Sequence, residues 1–142
     1  MSEPMEAGYH LVVGVPSIED YCRLRVAAGS SPKSREAATA GLPNTLFGVI
    51  VLKDNKVIGM GRVVGDGGLF YQVVDIAVEP AHQRRGLGKA ITSKIVEHLK
   101  QSAPPGAHVS LIADGPAQHL YSQFGFKPTA PDSIGMALAI SR

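Results

Sequence analysis

Tyr71-Gln72-Val73-Val74-Asp75-Ile76-Ala77-Val78-Glu79-Pro80 runs directly into Ala81-His82-Gln83-Arg84-Arg85-Gly86-Leu87-Gly88-Lys89-Ala90. The first half is rich in β-branched and apolar residues, and it stops at a proline that can neither donate to a ladder nor follow a helical residue. It reads as a buried strand. From Leu87 onward, Leu87, Ala90, Ile91, Ile95 and Leu99 recur at helical spacing, with Lys89, Lys94, Glu97 and Lys100 on the other faces. The first turn of such a helix carries backbone N–H groups without intrahelical partners and a partial positive charge. Gly86 and Gly88 clear side chains from that turn, and Arg84, Arg85 and Lys89 add full charges beside it. The junction is suited to a ligand carrying several phosphates. The competing reading is a solvated basic helix start.

Two other phosphate-binding patterns fit poorly. In a P-loop the lysine is followed by Ser or Thr, whereas Lys89 is followed by Ala90, which has no hydroxyl for magnesium. Gly59, Gly61 and Gly65 are spaced one residue too widely for a dinucleotide fingerprint and lie in a strand running into a turn.

Working outward, residues 46–52 and 57–64 are β-rich runs separated by Lys53-Asp54-Asn55-Lys56, an antiparallel hairpin. Gly65-Asp66-Gly67-Gly68 turns the chain into the strand at 71–78, giving a three-strand meander. Upstream, residues 9–15 predict a first strand, and Ser17 caps a helix that carries Ile18, Tyr21, Cys22 and Leu24. A second short helix is expected over 33–40. Downstream, a strand is expected over 108–113, a helix over 116–124 ending at Gly125, and a last strand over 135–140. The order, with a β-α-β crossover in its second half, predicts an α/β or α+β layer fold.

The chain has 142 residues, 44% of them hydrophobic, which is enough for one domain, 1–142, and short for two. The start lacks the basic and apolar regions of a signal peptide, and no apolar stretch reaches bilayer length. The expectation is a cytoplasmic protein without membrane partners. A net charge of +2 and the absence of Trp speak against nucleic-acid binding. Cys22 is the only cysteine, and no clustered metal-ligand pattern appears, so no metal is expected.

Gln83-Arg84-Arg85-Gly86-Leu87-Gly88 resembles the Gln/Arg-x-x-Gly-x-Gly/Ala signature of the GNAT superfamily of N-acetyltransferases. Leu120-Tyr121 with Gly125-Phe126 is similar to that family's late Leu-Tyr-x-x-x-Gly-Phe segment. The resemblance implies a GNAT fold, a twisted mixed sheet that is mainly antiparallel and flanked by helices, and acetyl-CoA as acetyl donor. It implies cofactor contacts from the backbone of Ile76, Ala77 and Val78 at a strand bulge, from Gln83, Arg84, Arg85, Gly86, Leu87, Gly88, Lys89 and Ala90, and from Tyr121. It also implies direct attack by a primary amine in a ternary complex. Tyr121 is then the candidate acid for the leaving thiolate, since a phenol near pKa 10 is protonated at neutral pH. A half-buried packing tyrosine is the competing reading. Where some relatives place a glutamate base, this chain has Gln72, and an amide cannot take that role. Asp75, in an Asp-Ile-Ala-Val run similar to one in glucosamine-6-phosphate N-acetyltransferases, is a candidate for orienting the amine or for securing the bulge. The expected acceptor is a small-molecule amine such as an amino sugar or polyamine. A protein lysine or N-terminal acetyltransferase and a non-catalytic CoA-binding regulator stay open as alternatives, as does a homodimer.

Overall fold

A computed structural model describes residues 5–141. The chain divides into two compact units, Met1–Leu111 and Ile112–Arg142. In the first, β1 (Tyr9–Val13), α1 (Ile18–Ala27), α2 (Arg35–Gly41), β2 (Phe47–Lys53), β3 (Lys56–Gly65), β4 (Phe70–Val78), α3 (Leu87–Ser102) and β5 (His108–Ser110) follow in order. The five strands form one sheet in sequence order; β1 to β4 are antiparallel neighbours, and β5 joins β4 in parallel.

Local chemistry sets these elements. Asp54 and Asn55 both take positive φ (51° and 63°), the backbone of a two-residue hairpin turn, and Lys53 pairs with Lys56 across it. The Asp66 carboxylate accepts the N–H groups of Gly68, Leu69 and Phe70 and so closes the β3–β4 turn. The Ser17 hydroxyl accepts the Asp20 N–H at 3.1 Å to cap α1, and Ser34 does the same for α2 through Ala37.

Strand alternation sends the two faces of β3 to different helices. Met60 joins Tyr21, Leu24, Ala38, Leu42 and Ala77 in the core under α1 and α2. Gly59 and Gly61 face α3, where Ile91 and Ile95 are fully buried. A Cβ at Gly61 would sit 2.6 Å from Ile91 Cγ2, so glycine there is what lets α3 lie close on the sheet.

The second unit holds a 3-10 turn, Gly115–Ala117, and a short helix, α4 (Gln118–Ser122). The expected helix over 116–124 is thus shorter, because Pro116 tightens its start into a 3-10 turn. The expected strand over 135–140 does not form: these residues have no ladder partner, and Met136, Leu138 and Ile140 are exposed. Alternation alone does not make a strand without an edge to pair with.

Candidate active site

The register between β3 and β4 shifts beside the junction. Met60 pairs with Ala77 and Arg62 with Val74, so Asp75 and Ile76 together oppose Gly61. This is a β-bulge. Its first residue, Asp75, has φ 60°, a left-handed conformation that Asp tolerates better than most residues other than Gly. Beyond Gln72, β4 has no strand partner on its β5 side among the described residues, since β5 pairs with Phe70, Tyr71 and Gln72. The strand therefore offers an open edge from the bulge to its C-terminal end.

The Asp75 carboxylate turns toward α1, and its side chain is only 5% exposed. Arg25 Nη1 donates to Oδ1 at 3.1 Å, while Arg62 Nε and the Tyr21 hydroxyl donate to Oδ2 at 2.7 and 3.0 Å. Arg62 Nη1 also donates to Thr45 Oγ1 at 2.8 Å. Burial, reinforced by the Asp75 carboxylate, pushes the Tyr21 phenol above its ordinary value.

At the end of β4, the Gln83 side-chain amide donates to the Val78 carbonyl at 2.9 Å and pins the loop to the strand. Arg84 is left-handed and exposed (φ 64°), and Gly86 follows it at φ 76° as the N-cap of α3. No side chain caps this helix, so the N–H groups of Leu87 and Gly88 present the dipole's positive end. Arg85 reaches Glu6 at 2.9 Å, a contact that raises its pKa. The side chains of Ala77, Val78, Leu87 and Ala90 are buried, so these residues can meet a ligand only through their backbone. Lys89 and Gly88 are half-buried beside them.

The structure thus brings Asp75, Ile76, Ala77, Val78 and residues 83–90 together in the first unit. Tyr121 lies in the second, on α4, with its ring edge-on to Phe126 at 6.3 Å. Burial first, then the Asp114 carboxylate, raise its phenol above the ordinary value. Asp114 occupies the N-cap position of the 3-10 turn without a side-chain bond, and His119 is exposed. His82 is half-buried, and its Nδ1 meets the Tyr9 hydroxyl at 2.6 Å. The Tyr21, Arg25 and Arg62 shell of Asp75 escaped sequence reasoning. Its signal was Tyr21 and Arg25 one helical turn apart on α1, opposite an Arg62 that alternation sends to the same face. Among the described residues, no group of three or more His, Cys, Asp or Glu is arranged to hold a metal, and no helix is long and apolar enough to cross a membrane.

Comparison with known proteins agrees with this geometry. A probable acetyltransferase of unknown function from methicillin-resistant Staphylococcus aureus shares 48% identity, with a TM-score of 0.89 over 93% of this chain and 99% of that one. Histone acetyltransferase TAP1 from Glycine max is 30% identical over 84 residues, 59% of this chain and 36% of that protein. Serotonin N-acetyltransferase 2, chloroplastic, from Oryza sativa subsp. japonica is 33% identical over 88 residues, 61% of this chain and 42% of that protein. The chain spans about a third of the length of the first curated relatives it matches. Residues 45–128, which include β4, the bulge, the α3 start and Tyr121, match the family of acetyltransferase (GNAT) domains, and the chain belongs to that family.

Proposed function

We propose that the protein transfers an acetyl group from acetyl-CoA to the primary amine of a small molecule, by direct attack in a ternary complex. The observation that carries this reading is the bulge at Asp75 and Ile76, which opens the free edge of β4 immediately before the uncapped start of α3. Backbone N–H groups at Leu87 and Gly88, with Arg84 and Arg85 beside them, suit the pyrophosphate. The open edge at 76–78 suits the amides of the pantetheine arm. An N–H at the bulge, with Ile76 the candidate, suits the thioester oxygen, where one well-placed donor contributes about 3 kcal/mol.

The transfer forms a C–N bond and breaks the C–S bond. The sulfur leaves as thiolate and takes a proton from Tyr121, the acid assigned from its sequence block and its raised pKa. The attacking nitrogen loses its proton to solvent, and the Tyr121 phenolate regains one from solvent. Asp75 does not take it in this reading, because each of its carboxylate oxygens already accepts at least one strong donor inside the protein. Its role is to hold the bulge. Relatives named for a histone and for serotonin support acetyl transfer to amines without fixing one acceptor class. The compact cavity beside Arg62 favours a small molecule. Thiol release from acetyl-CoA across a panel of free amines and a lysine peptide tests this reading. Turnover of free amines is expected; turnover of the peptide alone overturns the small-molecule assignment, and silence overturns the enzyme assignment.

A further inference from the structure

On the α1 side of the bulge lies a cavity of about 200 Å³, lined by Tyr21, Lys33, Ala37, Ala38, Leu42 and Arg62, with Gly41 at its wall. Small-molecule sites usually measure about 300–1,000 Å³, so this space admits one compact group rather than a whole sugar. Its apolar walls come from α2 and the turn after it. Its polar lining is one-sided in charge.

Arg62 supplies the floor. Its Nε is held by Asp75 and its Nη1 by Thr45, while Nη2 makes no hydrogen bond among the described residues. Nη2 is therefore not fully buried, on a side chain that is 13% exposed and lines the cavity. Tyr21 gives its hydroxyl proton to Asp75 and sets its ring centroid 5.7 Å from the Arg62 guanidinium carbon, a contact that leaves the cation's net charge in place. Lys33 is exposed at the cavity and forms no ion pair among the described residues. Asp75 stands between Arg25 and Arg62, Glu19 is bound by Arg35 at 2.6 Å, and Glu36, in the first turn of α2, is exposed and outside the lining. The charged side chains of the lining are thus both cationic, Arg62 and Lys33, and only Arg62 is paired with a carboxylate, one it shares with Arg25.

We infer that this cavity receives a carboxylate carried by the acceptor, so that the acetylated substrate is a small amino acid-like amine. The inference rests on the acetyl-transfer reading above. A carboxylate matches the planar guanidinium edge and accepts from Lys33 at the same time. Arg62 also holds Asp75, the first residue of the bulge, so an anion bound at Nη2 sits one side chain from the strand edge assigned to the thioester. A short spacer between carboxylate and amine then brings the nitrogen to the acetyl group. A cationic polyamine meets like charge here and is disfavoured.

The test compares, in the full chain with acetyl-CoA, amino acids with their primary amides, and phosphorylated amines with their unphosphorylated parents. The readout is the kcat/KM ratio of acid to amide. Lys33→Ala and Lys33→Glu are the principal variants, since Lys33 is exposed and bears no packing load. Arg62→Gln is secondary, because it also disturbs Asp75. The wild type is expected to prefer the acid about tenfold or more, the free-energy scale of one charge-assisted contact. Lys33→Ala is expected to lower that ratio about threefold, and Lys33→Glu to lower it further. A wild-type ratio near one, a preference for the amide, or a ratio unmoved by both Lys33 variants overturns the inference. Phosphorylated amines outrunning the amino acids overturn the carboxylate class. Silence with every amine overturns the acetyl-transfer reading instead, and the cavity is then judged by calorimetric titration of the amino acids. Binding that Lys33→Glu abolishes supports the anion site, and no binding to the wild type overturns it.

Discussion

Replacing Asp75 separates two costs that meet at the bulge. Its carboxylate is 5% exposed and accepts from two guanidinium groups and a phenol between 2.7 and 3.1 Å. Asp75→Asn keeps the volume and the tolerance for positive φ but leaves Arg25 and Arg62 without a countercharge. Breaking a buried pair from one side costs about 3–5 kcal/mol, a large part of the stability of an ordinary domain. With a urea slope of about 2 kcal/mol/M, the midpoint falls by about 1.5 M or more. The backbone cost is read from Asp75→Ala and Asp75→Gly. In a regular strand glycine is worse than alanine by about 0.5–1 kcal/mol, but at φ 60° alanine carries a left-handed penalty of about 1–2 kcal/mol, so the order inverts. Equilibrium urea unfolding of the three variants, followed by circular dichroism, is the assay. An Asn variant within about 0.5 kcal/mol of wild type, or a Gly variant less stable than Ala, refutes the reasoning.

Other expectations follow from the same geometry. Gly86→Val places a β-branched residue at φ 76° in the N-cap of α3 and is expected to weaken acetyl-CoA binding about tenfold or more by calorimetry; unchanged affinity removes the pyrophosphate from this site. Tyr121→Phe is expected to lower kcat about 100-fold if the phenol is the acid. In the wild type, kcat/KM should rise with pH as the amine deprotonates, with the alkaline decline above the ordinary phenol value of 10.0; a decline below that value excludes Tyr121. Burial opposes ionisation of Glu79, but bonds from Arg23 and Lys56 outweigh it and hold the carboxyl below 4.5. Its stabilising contribution is therefore present above that value and lost as pH falls below it. The stability gap between wild type and Glu79→Gln, measured by urea unfolding, should be open at pH 7 and close toward pH 3.

The strand-to-helix junction was legible because its signals are local: β-branched residues, a stopping proline, glycines and helical spacing. The hairpin at Asp54 and Asn55 and the Ser17 cap were legible for the same reason. The bulge was implied by the family resemblance alone and had no signature in the residues themselves, since an extra residue in one strand is defined only against its partner. Its traces, an Asp inside an apolar run and Gly61 across from it, acquire meaning once the register is known. The clamp on Asp75 spans 13 to 54 residues of sequence and has no local signature. The bond from the Gln83 side chain to the Val78 carbonyl was equally invisible, because it joins a loop to the end of the strand before it. Residues 135–140 misled in the opposite direction, because alternation reports a face and not the presence of a neighbour.

A crystal structure of the protein with CoA tests the central claim most directly. Pyrophosphate oxygens are expected within hydrogen-bonding distance of the N–H groups at the start of α3, around Gly86 to Gly88, and pantetheine amides are expected to pair along the edge of β4 at 76–78. A pyrophosphate bound away from the α3 start, or a pantetheine arm that bypasses β4, contradicts it.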